Sequence, residues 1–516
     1  VRNKVPTVKA DPHQTRNSQP TDTDNHFDVI VIGAGISGVG AAYQLRKKCP
    51  GKSLAILESK PSYGGTWHTH NYPGVRSDSD MYTFGYKFKP WIGKPVSDGA
   101  SILKYIGEAI SEGRLERHIH YQREVISASW SGEEQGWLLK VRCLDTGIEA
   151  TYSCGFLWMC QGYYRHSEGY TPDFPGIDNF RGQLVHPQLW PEDLDYTGKR
   201  VIVIGSGATA ITLTPNMADT AGHITMLQRS PTYLWTNENK NELADTLREL
   251  ELPEEWIHEA VRRSILKEQR EMFGLAASQP EEFTKSMLDD IRVHVGNDFD
   301  VEKHFSPSYR PGTQRVAYVP DGDLFKKIAE GKVTIVTDHI DHFTETGILT
   351  QSGEHLEADI IITATGFNMS VMGDIEFSVD GVPVDFSERF FYNGVMTSGV
   401  PNMVSMFGYL RTSWTMRVDL ISELVCRLLN FMDEKSYTSC TPQLRECDQN
   451  MTPRLFIEPD NFNPGYVQRG IHLYPKQGDH APWIVYSDYY EEREVFPSID
   501  FEDDALVYAA AGADAD

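Results

Sequence analysis

One plan occurs twice in this chain and constrains it more than any other feature. "FDVIVIGAGISGVGAAYQL" spans 27–45 and "KRVIVIGSGATAITLTPNM" spans 199–217. Each opens with an unbroken apolar run, the pattern of a parallel strand buried on both faces. A glycine-rich turn follows, then a stretch compatible with a helix. The repeat predicts an α/β protein with two Rossmann-like dinucleotide-binding domains, each aiming a helix N-terminus at a pyrophosphate.

In the first copy Gly33 allows the tight turn, Gly35 lets the backbone approach phosphate, and Gly38 lets helix pack on strand. The next strand, "KSLAILES", ends in Glu58, an acid placed to accept hydrogen bonds from ribose hydroxyls. This site is expected to bind an adenine dinucleotide. The second copy carries Gly205 and Gly207, with Ala210 at the third small position. Its following strand ends in Arg229 where the first has Glu58. A guanidinium binds a 2′-phosphate that an acid would repel, so NADPH is expected here. Two dinucleotide sites in one chain imply electron transfer from NADPH to FAD, then either to a disulfide or to oxygen.

Composition decides between those outlets. Seven cysteines are scattered without a C-x-x-C pair, which argues against a disulfide oxidoreductase and a structural zinc site. Reduced thiols also fit a cytoplasmic setting. The 73 acids against 48 bases give a net charge of −25, which disfavours nucleic acid and anionic membranes as partners. No apolar run reaches the roughly 18 residues of a membrane span. Residues 1–26 are polar, lack a secretory h-region and read as a disordered arm; 501–516 read as an acidic tail.

A loop just ahead of the second strand reads "FRGQLVHPQLWPE", with Phe180, Gly182, His186, Trp190, Pro191 and Glu192 in the pattern F-x-G-x-x-x-H-x-x-x-W-P-E. With a Rossmann unit on either side, it resembles the fingerprint of the type I Baeyer–Villiger monooxygenases, nearest their ethionamide-activating branch. The resemblance runs from about 27 to 495 and includes "GGTWHTHNYPGVRSDSDMYTFGY" (64–86), "YVPDGDLF" (318–325) and "ADIIITATGF" (358–367). It implies a discontinuous FAD domain (27–163 and 367–500), an NADPH domain (164–235 and 312–366) and a helical insertion at 236–311. "CQG" (160–162) and "ATG" (364–366) mark the crossings, Cys160-Gln161 departing from the family's usual triplet.

The resemblance also implies the chemistry: a C4a-peroxyflavin formed with O2 attacks a ketone carbonyl, and rearrangement gives an ester or lactone. Arg315 matches the active-site arginine, and Asp78, rather than nearby Asp80, the acid that orients it. For FAD the match carries over Gly33, Gly35, Ser37, Gly38, Glu58, Gly65, Thr66, Trp67 and Val125. For NADPH it carries over Gly205, Ser206, Gly207, Ala208, Thr209, Ala210, Ile211, Arg229 and Ser230, with Arg76, Ser77 and Asp78 on the nicotinamide side. Many members have Lys before the catalytic arginine; here it is Gln314, so NADPH preference rests on Arg229. His186 and Trp190 are expected to fix the linker between domains.

The expected substrate is a small apolar ketone, with sulfides also in range. "FNPGYVQRGIHLYPKQGDHAPW" (462–483) is expected to border the pocket, although its aromatics suit a core equally well. Two other readings are a sulfur- or nitrogen-oxidising flavin monooxygenase and a non-catalytic dinucleotide-binding redox sensor. Trp190-Pro191 and Arg315 favour ketone oxidation over the first, and retention of Asp78 with Arg315 disfavours the second.

Overall fold

In the computed structural model, which describes residues 25–510, the first apolar run is the strand His26–Ile32, with Val29 to Ile32 all buried. It pairs in parallel with Leu54–Leu57 on one side and Glu149–Met159 on the other, Val31 lying opposite Ile56 and Trp158. These strands sit inside an eleven-stranded sheet. The chain returns late to complete it: Met403–Ser405 pairs in parallel with Glu149–Met159. Helix Ile36–Lys48 follows the first glycine turn and packs on the long helix Trp414–Lys435.

The second apolar run is the strand Arg200–Ile204, at the centre of a five-stranded parallel sheet. His223–Gln228 and Ile360–Thr363 flank it, with Val333–Thr337 and Gln183–Val185 at the edges. Helix Ala208–Met217 leaves its glycine turn. Both units obey one steric rule. A Cβ at Gly33 (φ +100°) would lie 2.7 Å from the Cys160 carbonyl oxygen, and one at Gly205 (φ +133°) 2.4 Å from that of Ala364. Each turn therefore rests on the backbone of a crossing triplet, and only glycine fits. The crossings themselves pair, Tyr164–Gly169 running antiparallel to Phe367–Met369.

The stretch read as helical carries the helices Glu242–Glu249, Glu254–Ser278, Pro280–Val295 and Val301–Phe305. Its first two residues belong instead to the strand Leu234–Asn237, which pairs with Ala317–Pro320. Arg262 ties the insertion down, donating to the carbonyls of Tyr82, Thr83 and Gly85 and to Asp419.

The acidic-tail reading of 501–516 is corrected for its first ten residues. Leu506–Ala510 is a strand antiparallel to Tyr437–Pro442, and Tyr508 stacks on Tyr437 with ring centroids 4.6 Å apart. Two acids just ahead of that strand are paired: Arg445 donates to Asp503 and Asp504 at 3.4 and 2.9 Å. Residues 511–516, like 1–24 of the expected arm, lie outside the described residues. No helix among the described residues is long and apolar enough to cross a membrane.

Candidate active site

A single cavity of about 850 Å³ runs along both glycine turns. At one end Glu58, buried behind the first turn, accepts from the backbone N–H of Ala34 at 2.7 Å and of Lys60 at 2.8 Å, locking strand to turn. Burial pushes its carboxyl above the ordinary value. Helix Ile36–Lys48 starts at Gly35 with no side-chain cap, so its first N–H groups are left for a ligand. Helix Ala208–Met217 starts at Gly207 in the same uncapped way.

Most residues expected at FAD line this cavity: Gly33, Gly35, Ser37, Glu58, Gly65, Thr66, Trp67 and Val125. Ser37 accepts from the Trp414 indole at 2.8 Å, and Thr66 exchanges a hydrogen bond with the Tyr164 hydroxyl at 2.8 Å. Gly38 faces the strand instead, where a Cβ would overlap the Gly33 carbonyl at 1.9 Å. Its part is helix–sheet packing.

The second set divides. Gly207, Ala208 and Thr209 line the cavity, and so do Arg76, Ser77 and Asp78. Ala210 and Ile211 are buried against the second sheet. Gly205, Ser206, Arg229 and Ser230 lie off the cavity wall, Ser206 donating to the Ser230 carbonyl at 2.9 Å. Arg229 is exposed beyond the end of His223–Gln228 and has no acid within salt-bridge distance among the described residues.

Between the two turns the fold joins residues 237 apart in sequence: Arg315 Nη1 donates to Asp78 Oδ2 at 2.6 Å. The Asp78 carboxylate raises the Arg315 guanidinium further above its ordinary value, so the cation is permanent. Asp80 is engaged elsewhere, capping helix Met81–Phe84 by accepting from the Thr83 N–H and hydroxyl at 3.0 and 2.6 Å. Arg76 donates to Asp323 at 2.5 Å, which anchors the 72–78 segment to the second unit. Tyr72 is buried in the core of the second unit and anchors the segment again.

The Trp-Pro loop lies at the crossing. The His186 ring is pressed against Gly169, where a Cβ would overlap it at 1.9 Å, and its Nδ1 accepts from the Gln188 N–H. The Gln188 amide donates to the carbonyls of Arg165 and Glu168 at 2.6 and 3.0 Å, stitching the loop to the crossing strand. Trp190 packs against the core of the second unit. His186 and His70 both line the cavity, and burial lowers both imidazoles, His70 to about 4.

Several cavity residues carried no sequence signal. Tyr163 and Tyr164 follow the Cys160-Gln161-Gly162 crossing, and Trp414 opens a helix 250 residues later. Only the position of the two tyrosines beside a crossing triplet could have marked them. Of the 462–483 segment, Pro464 and Tyr466 line the cavity, whereas Tyr474 and Trp483 are core.

Comparison with known proteins assigns the family. Residues 98–381 match the flavin-binding monooxygenase-like family, and 31–91 match an NAD(P)-binding Rossmann-like domain. The chain belongs to the flavin-binding monooxygenase-like family. This monooxygenase is 44% identical over 486 residues to the FAD-containing monooxygenase EthA of Mycobacterium tuberculosis, covering 94% of the chain and 98% of that relative. It is 42% identical over 495 residues to the probable FAD-binding monooxygenase AlmA of an Acinetobacter species, covering 95% and 97%. In fold it resembles a steroid monooxygenase bound to NADP (TM-score 0.73, 22% identity, 94% of this chain and 100% of that one). It also resembles cyclohexanone monooxygenase in an open form (TM-score 0.72, 21% identity, 94% and 100%).

Proposed function

We propose that this flavin-binding monooxygenase uses FAD, NADPH and O2 to insert oxygen beside the carbonyl of a small apolar ketone, giving an ester or lactone, and that it also oxidises sulfides. The observation that carries this reading is the permanent cation of Arg315, held by Asp78 in a cavity that both glycine turns line.

The residues present fit both cofactors. Two uncapped helix N-termini meet one cavity. The glycine that opens each, Gly35 and Gly207, has no atom beyond its chain neighbours closer than 3.6 Å to where a Cβ would stand, which leaves room for a pyrophosphate to approach the backbone. FAD would lie along Gly33–Ser37, with Glu58 near its ribose and Thr66 and Trp67 further along. NADPH would lie on Gly207–Thr209, with the exposed Arg229 and Ser230 at its 2′-phosphate. Gln314 holds no phosphate in this scheme; its amide donates to Asn463 at 3.2 Å. A bound flavin supplies the redox chemistry, taking up hydride and activating dioxygen.

The protein's part is positional and electrostatic. Arg315 stabilises the negative charge that builds on the carbonyl oxygen as an oxygen nucleophile adds to the carbonyl carbon. Asp78 fixes the direction of that guanidinium. Trp67, Tyr163 and Trp414 wall the cavity with rings that exclude water. Linear, cyclic and aryl ketones and one aryl sulfide, each incubated with enzyme, FAD, NADPH and air, test the proposal by mass spectrometry. Esters or lactones carrying one added oxygen support it, and sulfoxide alone would assign a heteroatom oxygenase.

A further inference from the structure

Two phenols line the same cavity as the Arg315–Asp78 pair, from segments about 300 residues apart, and the later segment is tied to that of Arg315 by the Asn463 N–H donating to the Thr313 carbonyl at 2.8 Å. Tyr163 follows the first crossing, and Tyr466 lies on helix Gly465–Gly470. Both are half-buried and line the cavity. Their rings are 6.2 Å apart, and Tyr163 stacks on Trp414 at 5.3 Å. Tyr466 meets Phe367 edge-on at 6.3 Å. These aromatic contacts fix both rings, so neither hydroxyl is free to swing away.

The polar atoms of this group are underused. Neither hydroxyl makes a hydrogen bond within the protein among the described residues, and both feel the positive field of Arg315. Arg315 uses only Nη1 within the protein, for Asp78. Burial raises both phenols, so they remain protonated donors at any working pH. The partly exposed Arg315 cation and two neutral O–H groups line one ring-walled cavity, and together they hold donors that no protein acceptor among the described residues takes up. Open to the cavity, these donors are free to take an acceptor that a ligand brings.

We propose that Tyr163 and Tyr466 are catalytic residues whose hydroxyls, together with Arg315, form a three-donor site for the substrate's carbonyl oxygen. This deepens the ketone-oxidising reading and rests on it for the reaction, though not for the binding. The site would hold the ketone oxygen before attack and strengthen its grip as negative charge builds there. It also names the substrate class more closely: a carbonyl compound whose hydrocarbon part packs on Trp414 and Phe367.

The test uses the enzyme loaded with FAD and NADP, the variants Tyr163→Phe and Tyr466→Phe, and two probes. N,N-dimethylbenzamide offers a carbonyl oxygen and resists oxidation; isopropylbenzene has a similar shape and no acceptor. Calorimetric titration is expected to show each variant binding the amide about 3- to 10-fold more weakly, one ordinary hydrogen bond, with hydrocarbon binding and melting temperature retained. Ketone kcat is expected to fall about 10- to 100-fold, since the donor serves a developing charge. Unchanged amide binding in both variants overturns the proposal. So does parallel weakening of both probes, which would mark the tyrosines as wall packing. If the wild type makes no ester but the variants still lose the amide, the Baeyer–Villiger reading falls and the carbonyl site stands.

Discussion

Replacing Arg315 by Met keeps the volume of the side chain and removes the cation. The structure sets the size of the effect. The guanidinium makes one 2.6 Å bond to Asp78, which leaves its remaining donors for substrate. Losing a donor aimed at a developing oxyanion costs about 2.7–4 kcal/mol, or about 100- to 1000-fold in kcat. Stability should suffer less. Arg315 and Asp78 keep 39% and 25% of their side-chain surface exposed, so the stranded carboxylate retains some solvation. The roughly 3–5 kcal/mol of breaking a fully buried pair is therefore an upper bound. Asp78→Asn is milder, because the guanidinium stays charged and loses only its fixed direction. The double variant is expected to be no slower than Arg315→Met alone, since both act through one group. Initial rates at saturating NADPH and ketone, with flavin content read from absorbance, supply the check. Arg315→Met with full flavin and a rate within about threefold of wild type would refute the charge-stabilisation argument.

Arg229→Ala should raise the KM for NADPH about 10- to 100-fold, the loss of a charge-assisted bond to phosphate, and leave that for NADH nearly unchanged; steady-state kinetics with both coenzymes checks it. His186→Ala removes the ring wedged against Gly169, so turnover should slow or leak hydrogen peroxide while flavin stays bound, read as peroxide formed per NADPH consumed. Arg417→Met strands Glu492, which is fully buried and otherwise held by the Tyr409 hydroxyl at 2.5 Å, and should cost about 3–5 kcal/mol in urea unfolding. Burial already raises the Glu492 carboxyl, and losing Arg417 raises it further. The folded variant then binds a proton more tightly than the unfolded chain, so its stability falls as pH rises through that window. The deficit should be smaller at pH 5 than at pH 8.

The two Rossmann units were legible because their strands are buried on both faces and their turns admit no side chain, so apolar runs and glycines stand in one order. The helical insertion was legible for a similar local reason: 242–295 is rich in helix formers. The Arg315–Asp78 pair was reached only through family resemblance, since no periodicity links residues 237 apart in sequence. Tyr163, Trp414 and Tyr466 were missed because aromatics look alike in a core and in a cavity wall, and the fold alone sorts Tyr466 from Trp483. The C-terminal strand was misread because its five residues run straight into an Ala/Asp-rich end, while the strand that pairs with it, Tyr437–Pro442, is remote in sequence.

The most direct measurement of ketone oxygenation uses ¹⁸O2. A ketone that the enzyme turns over is incubated with FAD, NADPH and labelled oxygen, and the product is fragmented by mass spectrometry. One ¹⁸O in the bridging oxygen of the ester, with the carbonyl oxygen unlabelled, is the expected result. Oxidation of NADPH that yields only labelled hydrogen peroxide, with no labelled ester from any ketone, would contradict it.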